Sequence, residues 1–288
     1  MMQSTDMQIA LTRQITQLFA DLPQVEAIAL GGSQVGDSPD AVSDIDLYIY
    51  TRAAIPLVER QAIMGQSGGA SKANLGLDYW GPGDEWIHAD TGIEVDIVYF
   101  DKHWMENQIK RVVHDHQASL GYTTCFWYTI RHSQVLHDLC GWFQALQDHC
   151  QIDYPEALRQ NIIALNHPVL RSIIPSYTNQ LLKALQREDL VSINHRLAAL
   201  LASYFDIIFA VNRELHPGEK QLISRVLTQC EKIPVEMVAD INAVLQTSAT
   251  TGSSLMALLT GLLDRLDDVL VEEGFNLHRL PPGMADKQ

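Results

Sequence analysis

Val25-Glu26-Ala27-Ile28-Ala29-Leu30-Gly31-Gly32-Ser33, followed after a loop by Ser43-Asp44-Ile45-Asp46-Leu47-Tyr48-Ile49, is the stretch that decides the fold. The first part is a compact apolar run halted by two glycines, the pattern of a buried strand ending in a turn. In the second part Ile45, Leu47 and Ile49 alternate with Asp44, Asp46 and Tyr48. Residues two apart on a strand share a face, so this strand from Asp44 to Thr51 has one apolar side and one side bearing two carboxylates. Ile93 to Phe100 repeats the device: Val95, Ile97 and Tyr99 oppose Glu94, Asp96 and Val98. An acid at position 96, between two apolar residues, would be costly to bury alone.

Working outward, a helix is expected over residues 55–64, before a Gly/Ser-rich stretch at 65–71. Trp80-Gly81-Pro82-Gly83-Asp84-Glu85-Trp86 reads as a turn by composition. Residues 101–117 are expected to be helical, Ser133 to His137 a short strand, and 139–149 a helix. From Pro155 to Phe275 the pattern is helical throughout, with breaks expected at Pro168, Pro175, His216-Pro217-Gly218 and Pro234. The expected fold class is therefore α+β: a small mixed sheet domain over residues 1–150, followed by an α-helical bundle over 151–288.

Bulk composition narrows the function classes. The chain has 288 residues, 47% of them hydrophobic and 19% charged, as in a globular protein. A net charge of −15, with 20 scattered Lys and Arg, gives no basic face for DNA or RNA. The four cysteines lack CxxC spacing and no secretory leader precedes them, so free thiols and a cytoplasmic location are expected. The most apolar stretch, Leu197 to Val211, is too short to cross a bilayer and is broken by Asp206, so it reads as a buried helix and no membrane is expected.

The chemistry follows from the acids and the glycines. Gly31-Gly32-Ser33 lets backbone approach a ligand closely, and N–H groups of a turn starting at Ser33, with its hydroxyl, would face a phosphate. Asp44 and Asp46, held side by side, would repel unless a cation neutralised them. Magnesium, a hard ion completed by phosphate oxygens, suits them. Pairing of the Asp96 strand with theirs would bring three acids to one surface, a geometry for two-metal phosphoryl-type transfer.

These residues, Gly32-Ser33, Asp44-x-Asp46 and Asp96, resemble the signature of the DNA-polymerase-β-like nucleotidyltransferase superfamily over residues 24–100. The helical second half is similar to the aminoglycoside and lincosamide nucleotidyltransferases. A fuller pattern resembles an uncharacterised, domain-of-unknown-function branch: residues 80–86, Gly92-Ile93-Glu94-Val95-Asp96, Leu136-His137-Asp138, Asn212-Arg213 and His216-Pro217-Gly218-Glu219-Lys220. The resemblance implies that Asp44 and Asp46 bind two magnesium ions, and that Asp96 binds one and helps activate an acceptor hydroxyl. It implies transfer of a nucleoside monophosphate from a triphosphate, with ATP the expected donor, and release of pyrophosphate.

Secondary candidates fill in the site. Lys220, after a Pro-Gly break, could meet a triphosphate as a point charge. Asp84 and Glu85 could grip a cationic or hydroxyl-rich acceptor, with Trp80 and Trp86 stacking on it. His114-Asp115-His116 lacks a third ligand at a recognisable spacing and reads as a solvated helix end. A small-molecule acceptor, such as an antibiotic, fits the acidic balance. Modification of a protein partner, or a non-catalytic nucleotide-binding module, are the alternatives. The apolar helices could also contain a homodimer interface.

Overall fold

In a computed structural model the described residues are 4–31, 44–79, 81–249 and 254–277. Gly32, Ser33 and Trp80 lie outside them. The chain divides into two compact units, residues 1–110 with 129–152, and 111–128 with 153–288. The fold class is α+β, with a six-stranded mixed sheet and many helices.

The first unit begins with α1 (Ser4–Ala20), then β1 (Val25–Leu30) and β2 (Ile45–Thr51), as the apolar run and the alternating run demand. Next come α2 (Leu57–Gln66), β3 (Ala70–Leu77), β4 (Gly83–His88) and β5 (Glu94–Asp101). After β5 follow α3 (Lys102–Ile109), a π-helical turn (Lys110–His114), α4 (Cys125–His132), β6 (Gln134–Asp138) and α5 (Trp142–Cys150). The sheet order is β3-β4-β5-β2-β1-β6. The β2–β5 pair is parallel, and the neighbouring pairs are antiparallel.

Three sequence expectations fail here. The segment read as a turn up to Trp86 becomes strand β4 from Gly83 onward. The Gly/Ser-rich stretch also runs into a strand, β3, that was not foreseen. Both strands are stabilised by pairing with each other and, for β4, with β5, a tertiary gain that composition does not report. Third, the helix expected over residues 101–117 is shorter, passing from α3 into a π-helical turn that ends at His114.

One face of the sheet is the core. Ile28 and Leu30 of β1, Ile45, Leu47 and Ile49 of β2, Trp86 of β4, and Val95, Ile97 and Tyr99 of β5 pack with Leu11, Ile15 and Phe19 of α1 and Ile63 of α2. Burying such a side chain contributes about 1.5–3 kcal/mol, so this face fixes the register of β2 and β5: a slip of one residue would turn Asp46 inward. At the β1 bulge, buried Glu26 is paired with Arg52 and with Lys102 (3.2 Å).

In the second unit α6 (Glu156–Arg171), α7 (Tyr177–Gln186), α8 (Leu190–Asn212), α9 (Leu222–Gln229), α10 (Met237–Thr247) and α11 (Ser254–Glu272) form the helical part. The break expected at Pro168 does not occur. Pro168 lies inside α6, three residues before its end, and is buried with its neighbours Asn166, His167 and Leu170. A proline within a helix costs about 3 kcal/mol or more, which packing of the last turn offsets. Helix α8 is apolar and buried along most of its C-terminal half, with Asp206 in its midst. Among the described residues no helix is long and apolar enough to cross a membrane.

Candidate functional site

The second face of the sheet carries the acids. Asp46 on β2 stands in direct register with Asp96 on the parallel neighbour β5, and Asp96 is opposite Glu85 on antiparallel β4. Adjacent strands lie about 4.8 Å apart, so Glu85, Asp96 and Asp46 form a line of carboxylates perpendicular to the strands. The line ends at Gly31, whose N–H donates to the Asp46 carbonyl oxygen (3.0 Å). All three acids are partly exposed. Asp44 is exposed and directly precedes the first residue of β2.

The rest of this face explains why the acids sit at one end of it. On β1 the positions facing this way are Ala27 and Ala29, opposite Tyr50 and Tyr48. Small residues there leave room for two rings on β2. Tyr50 is fully buried and packs on Phe100 (5.7 Å between centroids), Trp142 (5.5 Å) and Phe143 (4.9 Å). Phe100 also stacks on Trp104 of α3 (5.8 Å). Helices α3 and α5 thus cover the aromatic end and leave the acidic end uncovered by those contacts. Tyr48 lies between the two. Burial, and then the charges of Asp46 and Asp96, push its phenol up to about 12, so it is a neutral hydrogen-bonding group.

The pleat separates Asp84 from Glu85. Asp84 faces the opposite way and is buried, 1% exposed. Its carboxylate accepts from Arg60 Nη1 (2.9 Å), the Tyr99 hydroxyl (2.7 Å) and the Gly76 N–H (2.7 Å). It is an internal anchor of the β3–β4 hairpin, and does not share a surface with Glu85. Trp86, expected to stack on an acceptor, is buried in the core for the same reason of alternation. Lys220 is exposed in the turn before α9 and belongs to the second unit. His114 pairs with Asp115 (2.9 Å), both at the surface, as the solvated-end reading expects.

A divalent ion can be tested against this donor set. Among the described residues no three His, Cys, Asp or Glu side chains are grouped so as to hold a metal by themselves. Magnesium rarely needs such a cage: it is bound through one or two carboxylates, with water and substrate phosphates completing the octahedron. Asp46 and Asp96, adjacent, hard and partly exposed, fit that pattern, with Asp44 one step from the strand end. Sequence alternation revealed Asp46 and Asp96. What it did not give was the register, which adds Glu85 to their row, or the packing that sets Tyr48 beside them. The sequence signal for Tyr48 was its place as the third residue on the acidic side of its strand.

The second unit has its own buried polar centre. Asp206 accepts from the Thr123 N–H (3.0 Å), the Thr123 hydroxyl (2.7 Å) and Asn166 Nδ2 (3.3 Å). Asn166 also accepts from the Gly121 N–H (3.0 Å), and the His216 N–H donates to Thr124 Oγ1 (2.7 Å). Residues 121–124 are in this way latched onto α6, α8 and the turn that follows α8.

Comparison with known proteins gives limited matches. The profile of a domain of unknown function (DUF4037) matches residues 126–222, a span that includes Leu136-His137-Asp138 and His216 to Lys220 but none of the acidic row. Among solved structures, the chain is similar to a nucleotidyltransferase-like protein from Exiguobacterium sibiricum, at 11% identity and a TM-score of 0.40, over 92% of this chain and 74% of that one. No curated protein matches the sequence.

Proposed function

We propose that the chain is a magnesium-dependent nucleotidyltransferase that moves a nucleoside monophosphate from a triphosphate, ATP in the first instance, to a hydroxyl of a small-molecule acceptor. The observation that carries the reading is the in-register Asp46–Asp96 pair on adjacent parallel strands, beside the Gly31 end of β1. Two partly exposed carboxylates held side by side gain from a shared cation.

Asp44, Asp46 and Asp96 would hold two magnesium ions, with Gly32 and Ser33 on the phosphates. When bound, magnesium neutralises phosphate charge and makes the acceptor hydroxyl more acidic. Asp96 takes the proton of that hydroxyl as its oxygen bonds to the α-phosphorus. The bond from the α-phosphorus to the bridging oxygen breaks, and pyrophosphate leaves with the electron pair. Glu85, next in the row, is placed to orient an acceptor rich in hydroxyl or ammonium groups, and an aminoglycoside-like or lincosamide-like antibiotic is the class we favour.

The test uses the full chain, ATP labelled on its α-phosphate, magnesium and a panel of such acceptors. Label should move to a small molecule, and Asp46→Asn or Asp96→Asn should slow it by about a hundredfold or more, equivalent to at least about 3 kcal/mol of transition-state stabilisation. Melting temperature should stay unchanged. Turnover indifferent to both substitutions would refute the assignment. Label on a protein band would keep the chemistry and replace the acceptor.

A further inference from the structure

Tyr48 stands two residues beyond Asp46 on the same side of β2, and its ring tip lies against Gly31, the residue that follows β1. A Cβ placed on Gly31 would be 2.1 Å from Tyr48 Cε2, 2.6 Å from Cζ and 2.9 Å from the hydroxyl oxygen. Glycine is therefore required at 31 while Tyr48 is present, and the phenol end covers the Gly31 backbone. The ring is held in that place. Ala29, its partner across the β1–β2 pair, leaves it space, and Phe100 backs it at 5.9 Å.

The described part of the row offers acids, which repel phosphate. A phenol, neutral at ordinary pH, is a donor that adds no negative charge. We infer that Tyr48 donates its hydroxyl to a phosphate oxygen of the nucleotide at the Gly31 end of the site, as a substrate-positioning residue. This rests on the nucleotidyltransferase reading, and it assigns the chain a phosphate contact outside the Gly-Ser turn.

The experiment is calorimetry on the full chain with magnesium, using pyrophosphate, a non-hydrolysable ATP analogue and adenosine as probes. The variants are Tyr48→Phe, which keeps the ring and its packing, and Asp46→Asn. Tyr48→Phe should weaken pyrophosphate and the ATP analogue by roughly tenfold, the scale of one hydrogen bond to a charged group. Adenosine affinity and melting temperature should not change, which a purely structural role could not produce. If Asp46→Asn abolishes binding of the analogue while Tyr48→Phe binds like the wild type, the Tyr48 contact is overturned and the wider reading stands. If the wild-type chain binds neither phosphate probe, both are overturned.

Discussion

At the scale of single residues, the close approach of Gly31 and Tyr48 makes a prediction that needs no assumption about function. Gly31→Ala inserts a methyl where the Tyr48 ring already is, 2.1 Å from Cε2. Overpacking of this kind costs about 1–3 kcal/mol. In Tyr48→Ala the same substitution should be far cheaper, so a double-mutant cycle read by urea unfolding should show a coupling of about 1 kcal/mol or more. Additive effects would mean that the ring moves aside freely. Both residues belong to the stretch whose alternation was read at the outset, and the acids there were legible because β2 over residues 45–49 and β5 over 95–99 alternate buried and half-buried positions. The intimacy of Gly31 with Tyr48 was not legible, since it depends on which strands neighbour each other.

At the scale of elements, the β3–β4 hairpin separates what local chemistry can reveal from what pairing decides. Its strands were hidden by Gly, Pro and Trp around residues 80–86 and by the polar, exposed pattern of β3 at the sheet edge. The same hairpin turns neighbouring acids to opposite fates. Asp84→Asn removes the charge that Arg60 faces inside the protein and should cost about 3 kcal/mol or more. Glu85→Gln, on the partly exposed side, should stay within about 0.5 kcal/mol of the wild type. Thermal melts of the two variants check this, and a large drop for Glu85→Gln would contradict the strand's assigned facing. Pro168 teaches the reverse lesson: a reliable local breaker was overruled because the last turn of α6 is buried.

At the scale of the whole molecule, two buried groups of the second unit give opposite pH dependences. Burial pushes Asp206 up to about 7, against hydrogen bonds from Thr123 that lower it. Burial also pushes His216 down to about 4. Between pH ~4 and ~7 the folded chain keeps a proton on Asp206 that the unfolded chain has released, so this group's contribution to stability falls as pH rises. Between ~4 and ~6.5 the unfolded chain protonates His216 while the folded chain does not, so that contribution rises with pH. In the shared window the two slopes oppose each other. Relative to the wild type, Asp206→Asn should therefore gain stability from pH 4.5 to 6.5, and His216→Gln should lose it, each by up to about 1.4 kcal/mol per pH unit. Urea unfolding at several pH values measures this, and parallel curves for all three proteins would show that neither group is shifted.

The path of the chain through the two units has a consequence for synthesis. Residues 111–128 emerge from the ribosome inside the sequence of the first unit, yet belong to the second. Their hydrogen-bonding partners are far downstream: Asn166 lies 45 residues after Gly121, Asp206 83 residues after Thr123, and His216 92 residues after Thr124. This stretch must wait, unsatisfied, until most of α8 and the turn beyond it have been made. Such long-range closure slows folding and leaves a nascent chain open to chaperones and proteases. A chain truncated just after residue 152 and released from the ribosome should be cut readily between 111 and 128, whereas the finished protein should resist cleavage there.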